Sequence, residues 1–234
     1  MAQPPYDLLL SSGFLAFGSQ AGFLAAVEEA DVRIDAVCGT SSGALAASLW
    51  LSGMRAAQVF DLLTSRAPLR TVSPNARWWR GALRLDPVIE LLRQHLPARF
   101  EDLDRPFAVG VADSLGGHRL LRSGPLPEAV AASCAMPFIF EPVTVDGEAF
   151  ADGGAVDRTG IMPFRAMRSG RPLLVHLVDR SHGADGPVPP DDVCIVRSKR
   201  SGAQMWNLGP AAQRFRETRA ETLRALSDLP TRRA

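Results

Sequence analysis

The sequence predicts an α/β fold built around a parallel sheet. Apolar runs at residues 6–12 and 34–38 alternate with helical patterns at residues 18–30 and 41–51. A strand, a helix and a second strand in this order form a parallel pair joined by a right-handed crossover. The chain has 234 residues, 46% of them hydrophobic and 22% charged, which is enough for a core of this kind.

Each of the first four predicted elements follows from the residues of its own segment. The first strand, YDLLLSS, is an apolar run that ends in small residues, which is typical of a buried strand. In the helix at residues 18–30, the side chains of Phe23, Leu24 and Val27 fall on one face. The second strand, IDAVC, is again apolar. The helix at residues 41–51 is rich in alanine and leucine, which favour helical backbone.

The rest of the chain continues this alternation. A helix is predicted at residues 85–96, with Asp86 as its N-cap and Pro87 at its first helical position. The Asp146-Gly147 pair predicts a tight hairpin within residues 143–151. Further helices are predicted at residues 55–65, 125–134 and 213–229, further strands at 107–112, 119–122, 173–178 and 193–196, an irregular basic stretch at 67–84 and a surface loop at 181–192.

No repeat or linker divides the chain. We therefore expect a single domain over residues 1–234, with a core at about 6–200 and a C-terminal helix at about 210–229. That helix is rich in arginine and amphipathic, so it is expected to pack at the edge of the fold.

Charge and cysteine content exclude several classes of protein. With 26 basic and 25 acidic residues, the net charge of +1 gives no reason to expect a nucleic-acid partner. Cys38, Cys134 and Cys194 are odd in number and form no CxxC pair, so neither a disulfide framework nor a zinc site is expected. Residues 1–7 do not resemble a signal peptide, and no apolar run reaches the ~18 residues that span a bilayer. We expect a cytoplasmic protein, with peripheral membrane contact left open and no oligomeric state indicated.

The most informative motif is Gly39-Thr-Ser41-Ser-Gly43, between a predicted strand and a predicted helix. A G-x-S-x-G sequence in this context is typical of a nucleophile elbow, in which a sharp turn projects the central serine from the sheet. Glycine is needed two residues to either side because larger side chains would clash in so tight a turn. Ser41 is therefore the candidate nucleophile. The alternative is a glycine-flanked helix start with Ser41 as an ordinary N-cap.

A serine nucleophile needs a base, and the sequence offers two kinds. Among the histidines, His182 is the best candidate because it lies in a loop beyond a strand, whereas His176 is interpreted as a core residue. The competing base is Asp152, which follows the hairpin and precedes Gly153 and Gly154. An aspartate before two glycines is also an ordinary turn, so the residues alone leave both bases open.

A second turn, at residues 11–15, follows the first strand. In a parallel sheet, consecutive strands end on the same edge, so backbone amides around Gly13 could face a carbonyl attacked by Ser41 and form an oxyanion hole. The alternative is a plain connection between a strand and a helix.

The order Gly13, Ser41, Asp152, with the last two 111 positions apart, resembles that of the patatin-like phospholipases, a family of lipid acyl hydrolases. The runs at residues 100–103, 123–126, 132–137 and 141–147 also resemble the family's succession of motifs. The resemblance implies a three-layer α/β/α sandwich with a mostly parallel central sheet. It also implies a Ser41–Asp152 dyad that needs no histidine, and neither a metal ion nor an organic cofactor. The implied substrate is an acyl lipid or another carboxylic ester.

The resemblance also implies roles for residues around the dyad. The amides of Gly13, Phe14 and Leu15 would form the oxyanion hole, and the elbow and motif glycines would be Gly39, Gly43, Gly153 and Gly154. The chain departs from the family at the first turn, which usually has three glycines and then a basic residue. Here only Gly13 of the three is kept, and Ala16 stands at the basic position.

Two alternatives to this function remain. One is an α/β-hydrolase with a Ser41–Asp152–His182 triad, and the other is a catalytically weak lipid-binding protein. Several apolar residues near the proposed site could line an acyl channel, and the alternative is that most of them are ordinary core residues. They are Phe14, Leu15, Phe17, Met136, Phe138, Ile139 and Phe140. Trp78 and Trp79, between Arg77 and Arg80, suit either a loop at a membrane interface or a buried pair.

Overall fold

The computed structural model describes residues 5–179, 185 and 193–228. Within these residues an eight-stranded mixed sheet forms the centre of the fold, beside a short two-stranded ribbon. The strands are β1 (Tyr6–Leu10), β2 (Ile34–Thr40), β3 (Ser73–Pro74), β4 (Leu83–Arg84), β5 (Phe107–Ala112), β6 (His118–Leu121), β7 (Val143–Val145), β8 (Glu148–Asp152), β9 (Leu173–Val178) and β10 (Val193–Ser198). Every predicted strand and helix lies within two residues of its predicted bounds.

The sheet is parallel on one side and antiparallel on the other. Strands β10, β9, β1, β2 and β5 are neighbours in that order, and all four pairings between them are parallel. Beyond them, β6 and β8 pair antiparallel with β5, and β7 with β8. The predicted hairpin is therefore confirmed, and Asp146 and Gly147 both have positive φ (47° and 84°), as its turn requires. The ribbon, in which β3 pairs with β4, lies within the stretch predicted to be irregular.

Seven α-helices cover the sheet within the described residues. They are α1 (Phe17–Glu29), α2 (Ser42–Leu51), α3 (Ala56–Thr64), α4 (Asp86–His95), α5 (Leu126–Ala132), α6 (Ile161–Met167) and α7 (Ala211–Ser227). Side chains of α1 to α5 pack into one large apolar cluster with one face of the sheet, while Ile161 and Phe164 of α6 cover Leu9 and Ala36 on the opposite face. Helices on both faces of a mostly parallel sheet confirm the predicted α/β/α sandwich.

The C-terminal helix α7 packs against α1 and the edge strand β10. The approach to α1 is very close, because a Cβ placed on Gly18 or Gly22 would lie 2.2–2.3 Å from a backbone carbonyl oxygen of α7. Only glycine permits such an approach between two helix backbones.

Two details of the predicted elements differ from the structure. Asp86 is the first residue of α4 rather than its N-cap. Leu85 stands at the cap position, and the Asp86 carboxylate instead pairs with Arg84 at 2.7 Å. No helix is predicted at the position of α6. Gly160 precedes this short helix and Pro163 lies within it, and both residues are atypical of helical sequence. Its proline lies in the first turn, where the missing N–H costs no hydrogen bond. The predicted loop at residues 181–192 lies outside the described residues except for Asp185.

Candidate active site

The sheet itself brings the two candidate catalytic residues together. Val109 and Gly110 of β5 pair with both β2 and β6, which therefore lie on opposite sides of β5. Val111 and Ala112 pair with β6 and β8, so β8 lies on the same side of β5 as β2. Strands β2 and β8 therefore lie end to end along the same side of β5. Their ends, Thr40 and Asp152, pair with the consecutive residues Gly110 and Val111, which places Ser41 beside Asp152.

Ser41 occupies a strained turn between β2 and α2. Its φ and ψ are 54° and −121°, a combination that non-glycine residues rarely adopt. A Cβ placed on Gly39 would lie 2.7 Å from the Ala44 Cα atom, and one on Gly43 would lie 2.3 Å from the Leu10 carbonyl oxygen. The two glycines are therefore sterically required, as the motif predicts. The serine side chain makes no capping hydrogen bond to α2, which excludes the simple N-cap interpretation.

The Ser41 hydroxyl instead donates to the Asp152 carboxylate, with 2.8 Å between Oγ and Oδ2. The other carboxylate oxygen, Oδ1, accepts the Gly154 N–H at 2.7 Å, which fixes the orientation of the group. Burial raises the pKa of Asp152 to about 6, although the hydrogen bonds from Ser41 and Gly154 act in the opposite direction. A carboxylate with such a pKa is ionised at neutral pH and can still accept a proton readily.

Ser133 is a site residue that the sequence analysis missed. The Ser41 backbone N–H donates to the Ser133 Oγ at 2.7 Å, and the Ser133 hydroxyl donates to the Gly110 carbonyl at 2.6 Å. The side chain therefore connects the elbow to the central strand β5, across 92 residues of sequence. The only sequence signal for it is its place in the run at residues 132–137.

Cys134 lies beside the same serine. Its thiol is within hydrogen-bonding reach of the Ser41 side chain, and its pKa is well above the ordinary value because of burial and the nearby Asp152 carboxylate. The cysteine therefore stays a neutral thiol and is a poor nucleophile next to Ser41.

The turn between β1 and α1 carries the predicted oxyanion-hole residues. Within the described part of the chain, the backbone N–H groups of Gly13, Phe14 and Leu15 have no hydrogen-bond partner, so they are free to bind a ligand. Leu15 has a positive φ of 48°, a conformation that glycine would adopt without strain. Both the turn and Ser41 line one cavity.

Arg158 holds this turn in place. Its buried guanidinium donates to the carbonyl oxygens of Ser12 (3.0 Å) and Val178 (2.6 Å), and its own carbonyl accepts the Ser12 N–H at 2.7 Å. Gly154 packs against the Ser12 side chain, since an added Cβ would lie 2.3 Å from its Oγ, and Gly153 packs as closely against the Gly110 carbonyl. The segment after Asp152 therefore supports both the dyad and the turn.

A cavity of about 1060 Å³ opens at Ser41 and Asp152. It extends between the sheet end and the helices α3 and α4, and its walls are mainly apolar. Its lining includes all seven residues of the predicted acyl channel: Phe14, Leu15, Phe17, Met136, Phe138, Ile139 and Phe140. Its volume lies at the upper end of the range for small-molecule sites, which suits a long apolar group.

The described histidines make no hydrogen bond to the serine. His176 is fully buried, with its ring nitrogens bonded to Gln20 Oε1 (2.7 Å) and Ser198 Oγ (2.9 Å), so it is the core residue that the sequence predicts. Burial lowers its pKa to about 3. His182, the histidine candidate for a triad, lies outside the described residues.

The Gly43→Ala variant is expected to have a much lower free energy of unfolding than the wild type. The added Cβ would meet the Leu10 carbonyl oxygen at 2.3 Å, so β1 and α2 would have to separate, at a cost of about 3 kcal/mol. A matched control is Gly147→Ala, where only the positive φ opposes the change because no atom lies within 4 Å. There we expect a cost of about 1 kcal/mol. Urea unfolding of both variants measures the difference, and equal losses would contradict the proposed packing of the elbow.

Helices on both faces of a mixed sheet, with a serine on a sharp strand-to-helix turn, define a class of α/β proteins with an elbow-type site. The profile of the family "Patatin-like phospholipase" matches residues 8–165, and the chain belongs to this family.

Curated relatives share sequence with the chain, and two solved structures share its fold. Uncharacterized NTE family proteins of Mycobacterium bovis and Mycobacterium tuberculosis are each 27% identical to the chain over 216 residues. The match covers 90% of the chain, which spans 60% of the length of these relatives. The structure of VipD from Legionella pneumophila (TM-score 0.58) covers 97% of this chain and 67% of its own, at 14% identity. That of the type III effector protein ExoU (TM-score 0.55) covers 96% and 52%, also at 14% identity, and both show the same fold.

Proposed function

We propose that the protein hydrolyses carboxylic esters of acyl lipids, with Ser41 as nucleophile and Asp152 as general base. The observation that carries this proposal is the 2.8 Å hydrogen bond between their side chains at the opening of a large apolar cavity. A hydroxyl bonded to a buried carboxylate can lose its proton as it attacks, and the cavity can hold the acyl chain of the ester under attack.

The reaction proceeds in two halves. Asp152 accepts the proton of Ser41 as the serine oxygen attacks the ester carbonyl, and the same proton passes to the departing alcohol, which leaves Ser41 acylated. A water molecule then gives a proton to Asp152 as its oxygen attacks the acyl carbon. The bond between that carbon and the Ser41 oxygen breaks, Asp152 passes the proton to this oxygen, and the fatty acid is released. Transfer to an alcohol in place of water would use the same acyl-enzyme.

Two parts of the site would assist these steps. The free amides of Gly13, Phe14 and Leu15 would bind the negative charge that develops on the carbonyl oxygen. Ser133, which accepts the N–H of Ser41, would hold the elbow at its strained φ and ψ. The buried Arg158 would keep the turn rigid through the Ser12 carbonyl, so the amides need no rearrangement during the reaction.

A fluorophosphonate probe tests the proposal, because it reacts covalently with an activated serine. We expect it to label Ser41, as peptide mapping would show, and not the neighbouring Cys134, whose thiol is neutral. Asp152 must be ionised to accept the proton, so the labelling rate should be low in acid, rise with pH through about 6 and then level off.

Other outcomes would support other functions. Absence of labelling, together with binding of a fatty acid but no turnover of a p-nitrophenyl ester, would favour a catalytically weak lipid-binding protein. Labelling that is lost in His182→Ala but kept in His95→Ala would favour a triad with a histidine base. Labelling at a residue other than Ser41 would contradict the proposed nucleophile.

A further inference from the structure

A group of exposed apolar side chains lies in and beside the cavity, and only two of its members belong to the acyl channel considered above. We call it the aromatic surface, and its members are Leu69, Trp78, Trp79, Phe138, Ile139 and Trp206. Trp78, Trp79 and Trp206 are 72%, 68% and 69% exposed, and Phe138 is 96% exposed. Single apolar residues on a surface are ordinary, whereas a contiguous group of large ones indicates a contact site.

Backbone hydrogen bonds join the segments that carry these residues. The Leu83 N–H donates to the Ile139 carbonyl and the Glu141 N–H donates to the Leu83 carbonyl, each at 2.9 Å. The ribbon whose loop holds Trp78 and Trp79 is therefore fixed against the segment that holds Phe138. The loop also packs tightly there, since a Cβ on Gly81 would lie 2.3 Å from the backbone of that segment.

The remaining members belong to the same surroundings. The Leu69 N–H donates to the Met205 carbonyl at 2.9 Å, which brings Leu69 close to Trp206. Phe138 and Ile139 line the cavity, as do Met205 and the residues on either side of Leu69. The aromatic surface is therefore arranged around the cavity that opens at Ser41.

Positive charge accompanies this surface. Residues 62–85 contain five arginines and no acidic residue, although the whole chain carries a net charge of only +1. Three of them, Arg77, Arg80 and Arg84, lie 3.3–3.8 Å from the carboxylate of Glu141, and Arg84 also pairs with Asp86 at 2.7 Å. Three arginines therefore face two carboxylates, and a net positive charge remains. The guanidinium groups of Arg77 and Arg80 are about half exposed, on either side of the tryptophan pair.

We propose that the aromatic surface docks on an anionic lipid bilayer. Tryptophan rings favour the headgroup region of a membrane, and exposed arginines are attracted by anionic lipids. A second copy of the chain would bring the same positive charge against this face, which opposes self-association through it. The proposal builds on the proposed function, because docking here would place the cavity opening against the source of the lipid ester.

Vesicle binding tests the proposal without any turnover. We expect the protein to sediment with vesicles of phosphatidylcholine and phosphatidylglycerol, to bind pure phosphatidylcholine vesicles more weakly, and to be released by salt. The double variant Trp78→Ala/Trp79→Ala should bind the anionic vesicles at least about tenfold more weakly. The variant Leu115→Ala is the matched control. It removes a 94% exposed side chain that lies outside the aromatic surface, and its binding should equal that of the wild type.

The same variants separate this proposal from the catalytic one. Ser41→Ala should bind vesicles like the wild type, and the double tryptophan variant should still hydrolyse a short soluble ester, since neither tryptophan lines the cavity. Soluble-ester turnover also shows that the double variant is folded, and Trp206→Ala provides a second, single-site test. The proposal is wrong if wild type ignores anionic vesicles, if both tryptophan variants bind them normally, or if the tryptophans instead mediate a dimer without vesicle binding.

Discussion

The Ser41→Ala variant is expected to lose essentially all esterase activity, with kcat lower by at least about 10⁴-fold. The hydroxyl that we propose to form the acyl-enzyme is absent from this variant, and the thiol of Cys134 beside it is too weakly acidic to replace it. The rate with p-nitrophenyl esters, corrected for spontaneous hydrolysis, measures the effect. Ser41 is only partly buried, and its hydroxyl donates to Asp152 at the edge of the cavity, so the variant should fold.

Ser42→Ala is the matched control for this experiment. It removes the same hydroxyl one residue further on, where the Ser42 side chain lies in the first turn of α2 and accepts only a long hydrogen bond of 3.4 Å from Gln20. This variant should keep most of the activity. If both serine variants retained full turnover, or if only Ser42→Ala lost it, Ser41 could not be the nucleophile.

The Asp152→Asn variant is expected to be almost inactive and yet more stable than the wild type at pH 8. An asparagine amide cannot take the serine proton, so kcat should fall by at least about 10³-fold. The side chain has the same shape. Its oxygen can accept the Gly154 N–H, and its nitrogen can donate to the Ser41 hydroxyl, so both hydrogen bonds persist.

The gain in stability follows from the raised pKa of Asp152. The folded state binds the carboxyl proton up to pH about 6, whereas in the unfolded chain the group titrates near 3.9. Between these values the folded state holds more protons, so the free energy of unfolding falls as the pH rises from about 4 to about 6. Ionised Asp152 thus costs the wild type up to about 3 kcal/mol at pH 8.

Urea unfolding of Asp152→Asn and of the wild type at pH 8 and at pH 4 measures this cost. The asparagine variant should be the more stable at pH 8, and the difference should shrink toward pH 4, where Asp152 of the folded wild type carries its proton and no charge is buried there. A variant less stable than the wild type at pH 8 would show that the buried carboxylate is well accommodated in its charged form.

The elbow and the hairpin could be predicted because their causes are local. Gly39 and Gly43 are sterically required because they pack against the backbone of Ala44 and Leu10. The G-x-S-x-G spacing is nevertheless enough to predict the turn. Asp146-Gly147 defines its own two-residue turn in the same way. The residue pattern also identified Asp152 as one candidate base, whereas its contact with Ser41 depends on strand order.

Features that depend on distant parts of the chain were not predictable from the residues. Ser133 reaches the elbow through the fold, and a serine in a helix-like run has no pattern that reveals such a contact. The two tryptophans could be buried or exposed on sequence grounds, and the structure shows them exposed because their loop projects from the ribbon. The N-cap of α4 was predicted one residue too late in the chain. Asp86 is the first helical residue, and its carboxylate pairs with Arg84.

The end-to-end arrangement of β2 and β8 along one side of β5 has a consequence for how this protein can vary. Ser41 and Asp152 are 111 positions apart, and the segment between them contributes most of the cavity wall. The alignment of the two side chains nevertheless comes from the pairing of their strands with two adjacent residues of β5. Insertions and deletions in the intervening loops could reshape substrate preference while leaving the reacting atoms in register. The fold therefore allows the cavity wall to change in evolution without moving the Ser41 and Asp152 side chains apart.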